Sequence, residues 1–81
     1  MKIDVILFAR LKELVGSDRL GLTMVEGSTV GDLKRELLAQ YPEIVELLSH
    51  CSVSVNHEYS GDDSILTDAC EVGLIPPVSG G

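Results

Sequence analysis

Residues 2–9 (KIDVILFA) alternate, with Ile3, Val5 and Leu7 on one side and Asp4, Ile6 and Phe8 on the other. Two is the side-chain period of a strand, and the second face is unusually apolar for one turned to water. Over residues 10–16 (RLKELVG) the alternation lapses. Leu11, Leu14 and Val15 suit a short helical connection, and Gly16 can end it in a left-handed conformation. Leu20, Leu22 and Met24 restore period two within residues 18–25, predicting a second strand in a hairpin with the first. Gly27 breaks that pattern. Thr29 followed three residues later by Asp32 has the form of a capping box. Val30, Leu33, Leu37 and Tyr41 then recur at three- and four-residue steps, with Lys34, Arg35 and Glu36 on a solvated side. Pro42 stops this helix near Tyr41.

Residues 43–49 (EIVELLS) read as a second, short helical segment. Residues 52–56 (SVSVN) alternate around Val53 and Val55 and predict a third strand. The stretch 57–64, with Ser60, Gly61, Asp62 and Asp63, is turn-rich and leaves room for a very short strand. Residues 71–75 (EVGLI) form the last strand, closed by Pro76 and Pro77. The order strand, strand, helix, strand, loop, strand predicts an α+β domain in which a mixed sheet of four or five strands grasps one main helix. Residues 1–77 are expected to form this domain and residues 78–81 a flexible tail.

Composition narrows the function classes. Eighty-one residues argue for one domain. Thirteen acidic against six basic side chains give a net charge of −7. That charge repels phosphate backbones and anionic lipid, so neither nucleic acid nor membrane is an expected partner. It favours a basic protein partner instead. The longest apolar run, residues 5–9, is far short of the roughly 20 residues a membrane span needs. Asp4 and the short run after Lys2 also spoil a signal peptide, so a cytoplasmic location is expected. Two cysteines in that compartment read as free thiols.

The chain's chemistry is concentrated at its end. Pro76–Pro77 stops the last strand, because proline cannot donate to a ladder and Pro77 holds Pro76 extended. The four residues beyond, Val78, Ser79, Gly80 and Gly81, reach at most ~13–14 Å, at about 3.3–3.6 Å per extended residue. Gly80 and Gly81 lack a Cβ and can thread a channel too narrow for other residues. Such a tail would deliver a carboxylate unhindered on both faces, suited to attack on a nucleotide phosphate and later to attack at its acyl carbon. Two terminal glycines alone would be a frayed end. Behind a buried-type strand and a stiff Pro-Pro on a small α+β body, they are far more specific.

With these residues in view, the chain resembles the small-subunit family of molybdopterin synthase, ubiquitin-like sulfur carriers of the β-grasp fold. The resemblance covers essentially the full length. It rests on Phe8-Ala9, Glu13-Leu14-Val15-Gly16, Thr29-Val30 with Leu33, Val55-Asn56 and Glu71-Val72, and above all on residues 75–81 (IPPVSGG). Asp68-Ala69-Cys70 departs from the family's usual Asp-Gly-Asp, which puts the geometry of that turn in question. The resemblance implies that an ATP-dependent, E1-like activating enzyme adenylates Gly81 and a persulfide sulfur replaces AMP. The resulting thiocarboxylate would enter the large synthase subunit and convert cyclic pyranopterin monophosphate to the molybdopterin dithiolene, in an expected heterotetramer. Mg-ATP would be consumed by the activating enzyme, and no cofactor or metal is expected on this chain. Val78, Ser79 and Gly80 would thread the partner's channel.

Strand parity suggests where partners dock. If Ile3, Val5 and Leu7 face the helix, Ile6 and Phe8 point outward; if Val72 and Leu74 face it, Gly73 and Ile75 point outward. The first and last strands are neighbours in a grasp fold, which gathers Ile6, Phe8 and Ile75 beside Pro76 and Pro77 in one apolar patch. The alternative is that Phe8 folds beneath the 10–16 connection.

Other groupings carry less. Cys51 and Cys70 invite a persulfide-relay reading, but neither has a Lys or Arg beside it in sequence to favour the thiolate, and a small thiol packs well beside a strand. His50, Cys51 and His57 lack metal-ligand spacing. Asp62-Asp63 suits turn chemistry better than acid–base work. Rival functions remain: a carrier for thiamine synthesis or tRNA thiolation, a protein modifier conjugated through Gly81, or an interaction module with an inert tail.

Overall fold

The computed structural model describes residues 1–77. Their order is β1 (Lys2–Leu7), α1 (Ala9–Val15), β2 (Arg19–Thr23), α2 (Val30–Gln40), a 3-10 turn (Pro42–Ile44), α3 (Val45–Ser49), β3 (Ser52–Val55), β4 (Glu58–Tyr59) and β5 (Glu71–Ile75). The sheet order is β2-β1-β5-β3-β4. β1 and β5 run parallel at the centre, and the other pairs are antiparallel. The expected four or five strands are five.

Helix α2 starts where the capping box predicts. The Asp32 amide donates to Thr29 Oγ1 at 3.2 Å, and the Thr29 amide donates to Asp32 Oδ2 at 2.9 Å. These bonds satisfy two amide groups, one at the cap and one in a first turn that has no helical acceptors. Val30, Leu33 and Leu37 project from α2 into the core with no exposed surface. They meet Ile3, Val5 and Leu7 of β1 and Val72 and Leu74 of β5, each at most 1% exposed. Each such side chain contributes about 1.5–3 kcal/mol by leaving water. Leu11 of α1, Ile44 of the 3-10 turn and Leu48 of α3 close the ends of this core.

Three boundaries differ from the sequence expectation, two of them through backbone turns. β1 ends at Leu7 rather than residue 9, because Ala9 turns the chain at φ 52° into α1. β3 ends at Val55 rather than Asn56. Asn56 and His57, at φ 49° and 72°, form the two-residue loop of a β3–β4 hairpin, closed by the Val55–Glu58 pair. β2 is shorter than residues 18–25, although the Met24 amide still donates to the Met1 carbonyl at 2.9 Å. The 68–70 turn keeps a glycine-like form without glycine. Ala69 sits at φ 63°, its amide donates to the Lys2 carbonyl at 2.8 Å, and Asp68 Oδ1 accepts from the Lys2 amide at 2.9 Å.

Candidate docking face

The register of the central strands decides which side chains share the outer face. Ile6 lies opposite Gly73, Gly73 opposite Ser54, and Ser54 opposite Tyr59. One row across the sheet therefore runs bulky, small, small, bulky. The dip in its middle is a trough of about 260 Å³. Its walls are Ile6, Phe8, Tyr59 and Ile75, its floor is Gly73 and Ser54, and Glu71 with His57 stands at one end.

Phe8 is 44% exposed and Tyr59 77%. Phe8 keeps an extended backbone (φ −122°, ψ 154°), so its side chain stays on the outer side after β1 has ended. Its ring reaches back towards β5: a Cβ built on Gly73 would lie 3.7 Å from Phe8 Cε2 and only 2.7 Å from Ser54 Oγ. The reading of Phe8 beneath the 10–16 connection does not hold, because Phe8 is exposed with its ring by Gly73, and it is Leu11 of that connection that is buried in the core. Ile6, Phe8 and Ile75 thus share one face. Pro76 is half-buried and Pro77 exposed, directly after β5. Val78, Ser79, Gly80 and Gly81, named above for threading and for chemistry, lie outside the described residues.

The trough has a polar end. His57 Nε2 is 3.6 Å from Glu71 Oε1, while the Glu71 amide donates to Asn56 Oδ1 at 2.9 Å. Asp4 lies beside Glu71 in register and pairs with Arg19. His57 and Tyr59 were not legible as trough residues, because the hairpin turn sets the register of β4, whereas Ser54 and Glu71 hold outward positions by the same parity as Gly73. Alternation within a two-residue strand carries no such signal.

Elsewhere, Lys34 is not the solvated position the helical wheel suggests. Its Nζ donates to Asp62 Oδ1 at 2.8 Å, with the lysine side chain 23% exposed. Lys34 also lines a second, open groove with Cys51, Ser52 and Ser60, so a cation does stand near Cys51 in space. Burial nevertheless prevails over Lys34 and pushes the Cys51 thiol above its ordinary value. The Cys51 thiol donates to the Leu47 carbonyl at 3.2 Å. Cys70 is buried in the core. Among the described residues, no group of three His, Cys, Asp or Glu side chains is placed to hold a metal ion. None of their helices is long and apolar enough to cross a membrane.

A mixed five-stranded sheet with parallel central strands, grasping one main helix, defines a ubiquitin-like β-grasp protein. The chain belongs to the ThiS family, whose model matches residues 5–81, and within it to the sulfur carriers of the molybdopterin synthase small-subunit type. It is 40% identical to the molybdopterin synthase sulfur carrier subunit of Arabidopsis thaliana, over 100% of this chain and 84% of the relative. Its fold is similar to that of a putative molybdopterin converting factor subunit 1 from Pyrococcus furiosus. That match has a TM-score of 0.88 and 30% identity, covering 96% of this chain and 99% of the other. It is equally similar to SAMP1 from Haloferax volcanii, with a TM-score of 0.89 and 28% identity over the full length of both chains.

Proposed function

We propose that this chain carries sulfur on Gly81 and delivers it as the small subunit of molybdopterin synthase. The observation that supports this most directly is a trough walled by Ile6, Phe8 and Ile75, opening beside Pro76 and Pro77 at the root of a Gly-Gly segment. A protein docked on the trough has the tail's root already in hand, and at most ~13–14 Å of extended chain then reaches its active site. Docking thus fixes the position of the reacting group, which converts a bimolecular encounter into an oriented one.

The carboxylate oxygen of Gly81 attacks the α-phosphate of ATP, bound with Mg²⁺ by an E1-like activating enzyme, and pyrophosphate leaves. The terminal sulfur of a persulfide attacks the acyl carbon, AMP leaves, and a thiol cleaves the resulting acyl disulfide to release the thiocarboxylate. The thiocarboxylate sulfur then attacks the pterin precursor, cyclic pyranopterin monophosphate, within the large subunit. Two carriers in succession complete the dithiolene. Ile6, Phe8, Ile75, Pro76 and Pro77 form the docking face, and Val78, Ser79 and Gly80 thread the channel. The catalytic base and the pterin pocket belong to the large subunit, in a heterotetramer of two large and two small chains. The setting is cytoplasmic, and no cofactor resides on this chain.

A second reading, a modifier conjugated to lysines through Gly81, is favoured by the likeness to the Haloferax volcanii small archaeal modifier protein 1. Mass spectrometry of the C-terminal peptide from protein isolated from its own cells separates the two. A thiocarboxylate localised to Gly81 by fragmentation is the expected result. An isopeptide to lysine would make the chain a modifier. A carboxylate that stays unmodified with activating enzyme and ATP supplied would remove both readings.

A further inference from the structure

The trough is not uniformly apolar, and its chemistry describes what should fill it. Its floor is lowered by two small residues, Gly73 and Ser54, and the Ser54 hydroxyl supplies a donor and an acceptor there. Two aromatic side chains, Phe8 and Tyr59, stand along it. A carboxylate, Glu71, lies at its end, beyond hydrogen-bond distance of its neighbour His57 (Nε2 to Oε1 3.6 Å), on a chain of net charge −7. A purely aliphatic plug would strand the hydroxyl and the carboxylate, and a small anion would be repelled by Glu71. The complementary group is long and apolar along its stem, planar and cationic at its tip, and rich in donors. Arginine has that chemistry: its guanidinium stacks on aromatic faces and bonds a carboxylate through fixed forks.

We propose that the Gly73–Ser54 trough is the recognition site for one arginine side chain of the activating enzyme, stacked along Phe8 and Tyr59 and ending on Glu71 and the Ser54 hydroxyl. The inference rests on the sulfur-carrier reading above. It makes Glu71 a specificity-determining residue, and Gly73 the position whose missing side chain keeps the trough open.

The test uses the full chain and the purified activating enzyme in ATP–pyrophosphate exchange. Glu71→Gln, on the surface, raises KM about tenfold with kcat unchanged, as expected for loss of a charge-assisted hydrogen bond. Raising salt from about 50 to about 500 mM weakens the wild type and narrows that gap. Gly73→Val fills the trough and raises KM further, its folding checked by thermal midpoint. Phenylglyoxal labelling of the activating enzyme, followed by peptide mapping, shows one arginine protected by wild-type chain and not by Gly73→Val. A wild-type KM for Glu71→Gln, or no protected arginine, overturns the proposal while leaving the carrier reading intact. Absence of exchange with the wild-type chain removes the carrier reading itself, and the arginine site with it.

Discussion

Gly73 and Ser54 face each other across β5 and β3 with no space for a methyl group between them, since a Cβ at 73 would stand 2.7 Å from Ser54 Oγ. Gly73→Ala is therefore expected to lower stability by about 1 kcal/mol, the low end of overpacking costs, because a serine hydroxyl can rotate away. Ser54→Ala removes the offending atom, so the double variant recovers most of that loss. Urea denaturation of the four proteins reads the coupling directly. An equal cost of Gly73→Ala in both backgrounds would show that the hydroxyl is not the obstacle.

Ala69 holds a conformation that L-residues adopt at a cost. At φ 63° its Cβ crowds the following carbonyl, yet its amide must donate to the Lys2 carbonyl to tie the 68–70 turn to β1. Ala69→Gly relieves the crowding at some expense in unfolded-chain entropy, and a net gain of about 0.5–1 kcal/mol is expected. Ala69→Val, with a branched Cβ, loses stability. A shift of the denaturation midpoint in opposite directions for the two variants is the measurement to make.

Much of this architecture was legible in the alternation itself. Ile3, Val5, Leu7, Val72 and Leu74 announce their inward face because period two is enforced by the pleat, and the main helix announces its start through Thr29 and Asp32. Adjacency of β1 and β5 came from the family resemblance; nothing local states which distant strands pair. What escaped were the turns made by non-glycine residues at positive φ: Ala9, which ends β1 at Leu7, and Asn56 with His57, which end β3 at Val55 and set the register that brings Tyr59 opposite Ser54. Alanine and histidine do not advertise left-handed backbone as glycine does. The Lys34–Asp62 pair escaped for a different reason, since 28 residues separate its partners and only the folded chain brings them together.

The α2 cap couples helix stability to acid. Hydrogen bonding from the Thr29 amide, helped by the Thr29 hydroxyl and the Arg35 guanidinium, outweighs desolvation and holds the Asp32 carboxyl below its ordinary 3.8. A depressed folded-state value means that this contribution is fully present above about pH 4. It is lost as pH falls through the lower, folded value. Asp32→Asn is expected to flatten the stability profile below pH 4, and Thr29→Ala to lower stability at neutral pH by about 1 kcal/mol through loss of the cap. Thermal midpoints from pH 2.5 to 7 check both. An unchanged acid slope in Asp32→Asn would place the acid sensitivity elsewhere.

Cys51 tests whether this chain handles sulfur on its own thiols. Burial raises the thiol against the opposing pull of Lys34, and the thiol donates to the Leu47 carbonyl, so the nucleophilic thiolate is scarce near neutrality. Iodoacetamide at pH 8 is expected to label Cys51 more slowly than a free cysteine peptide. The buried Cys70 should stay unlabelled in the native protein. Labelling of Cys51 faster than the peptide would reinstate it as a persulfide candidate.

Phe8 separates folding from docking. A phenylalanine in a protein core costs about 3–5 kcal/mol when cut to alanine. Phe8 is 44% exposed and rests on the outer sheet face near Gly73, so its removal opens no cavity in the core. Phe8→Ala is expected to cost under about 1 kcal/mol. Leu11→Ala, three residues away and fully buried, should cost about 2–5 kcal/mol. Binding to the large synthase subunit is expected to follow the opposite order: Phe8→Ala weakens it at least about tenfold, as loss of an aromatic anchor does. A folded Leu11→Ala chain leaves it near wild type. Calorimetric titration beside thermal melts gives both readings, and a Phe8→Ala chain that binds as tightly as wild type would move the docking face off this side of the sheet.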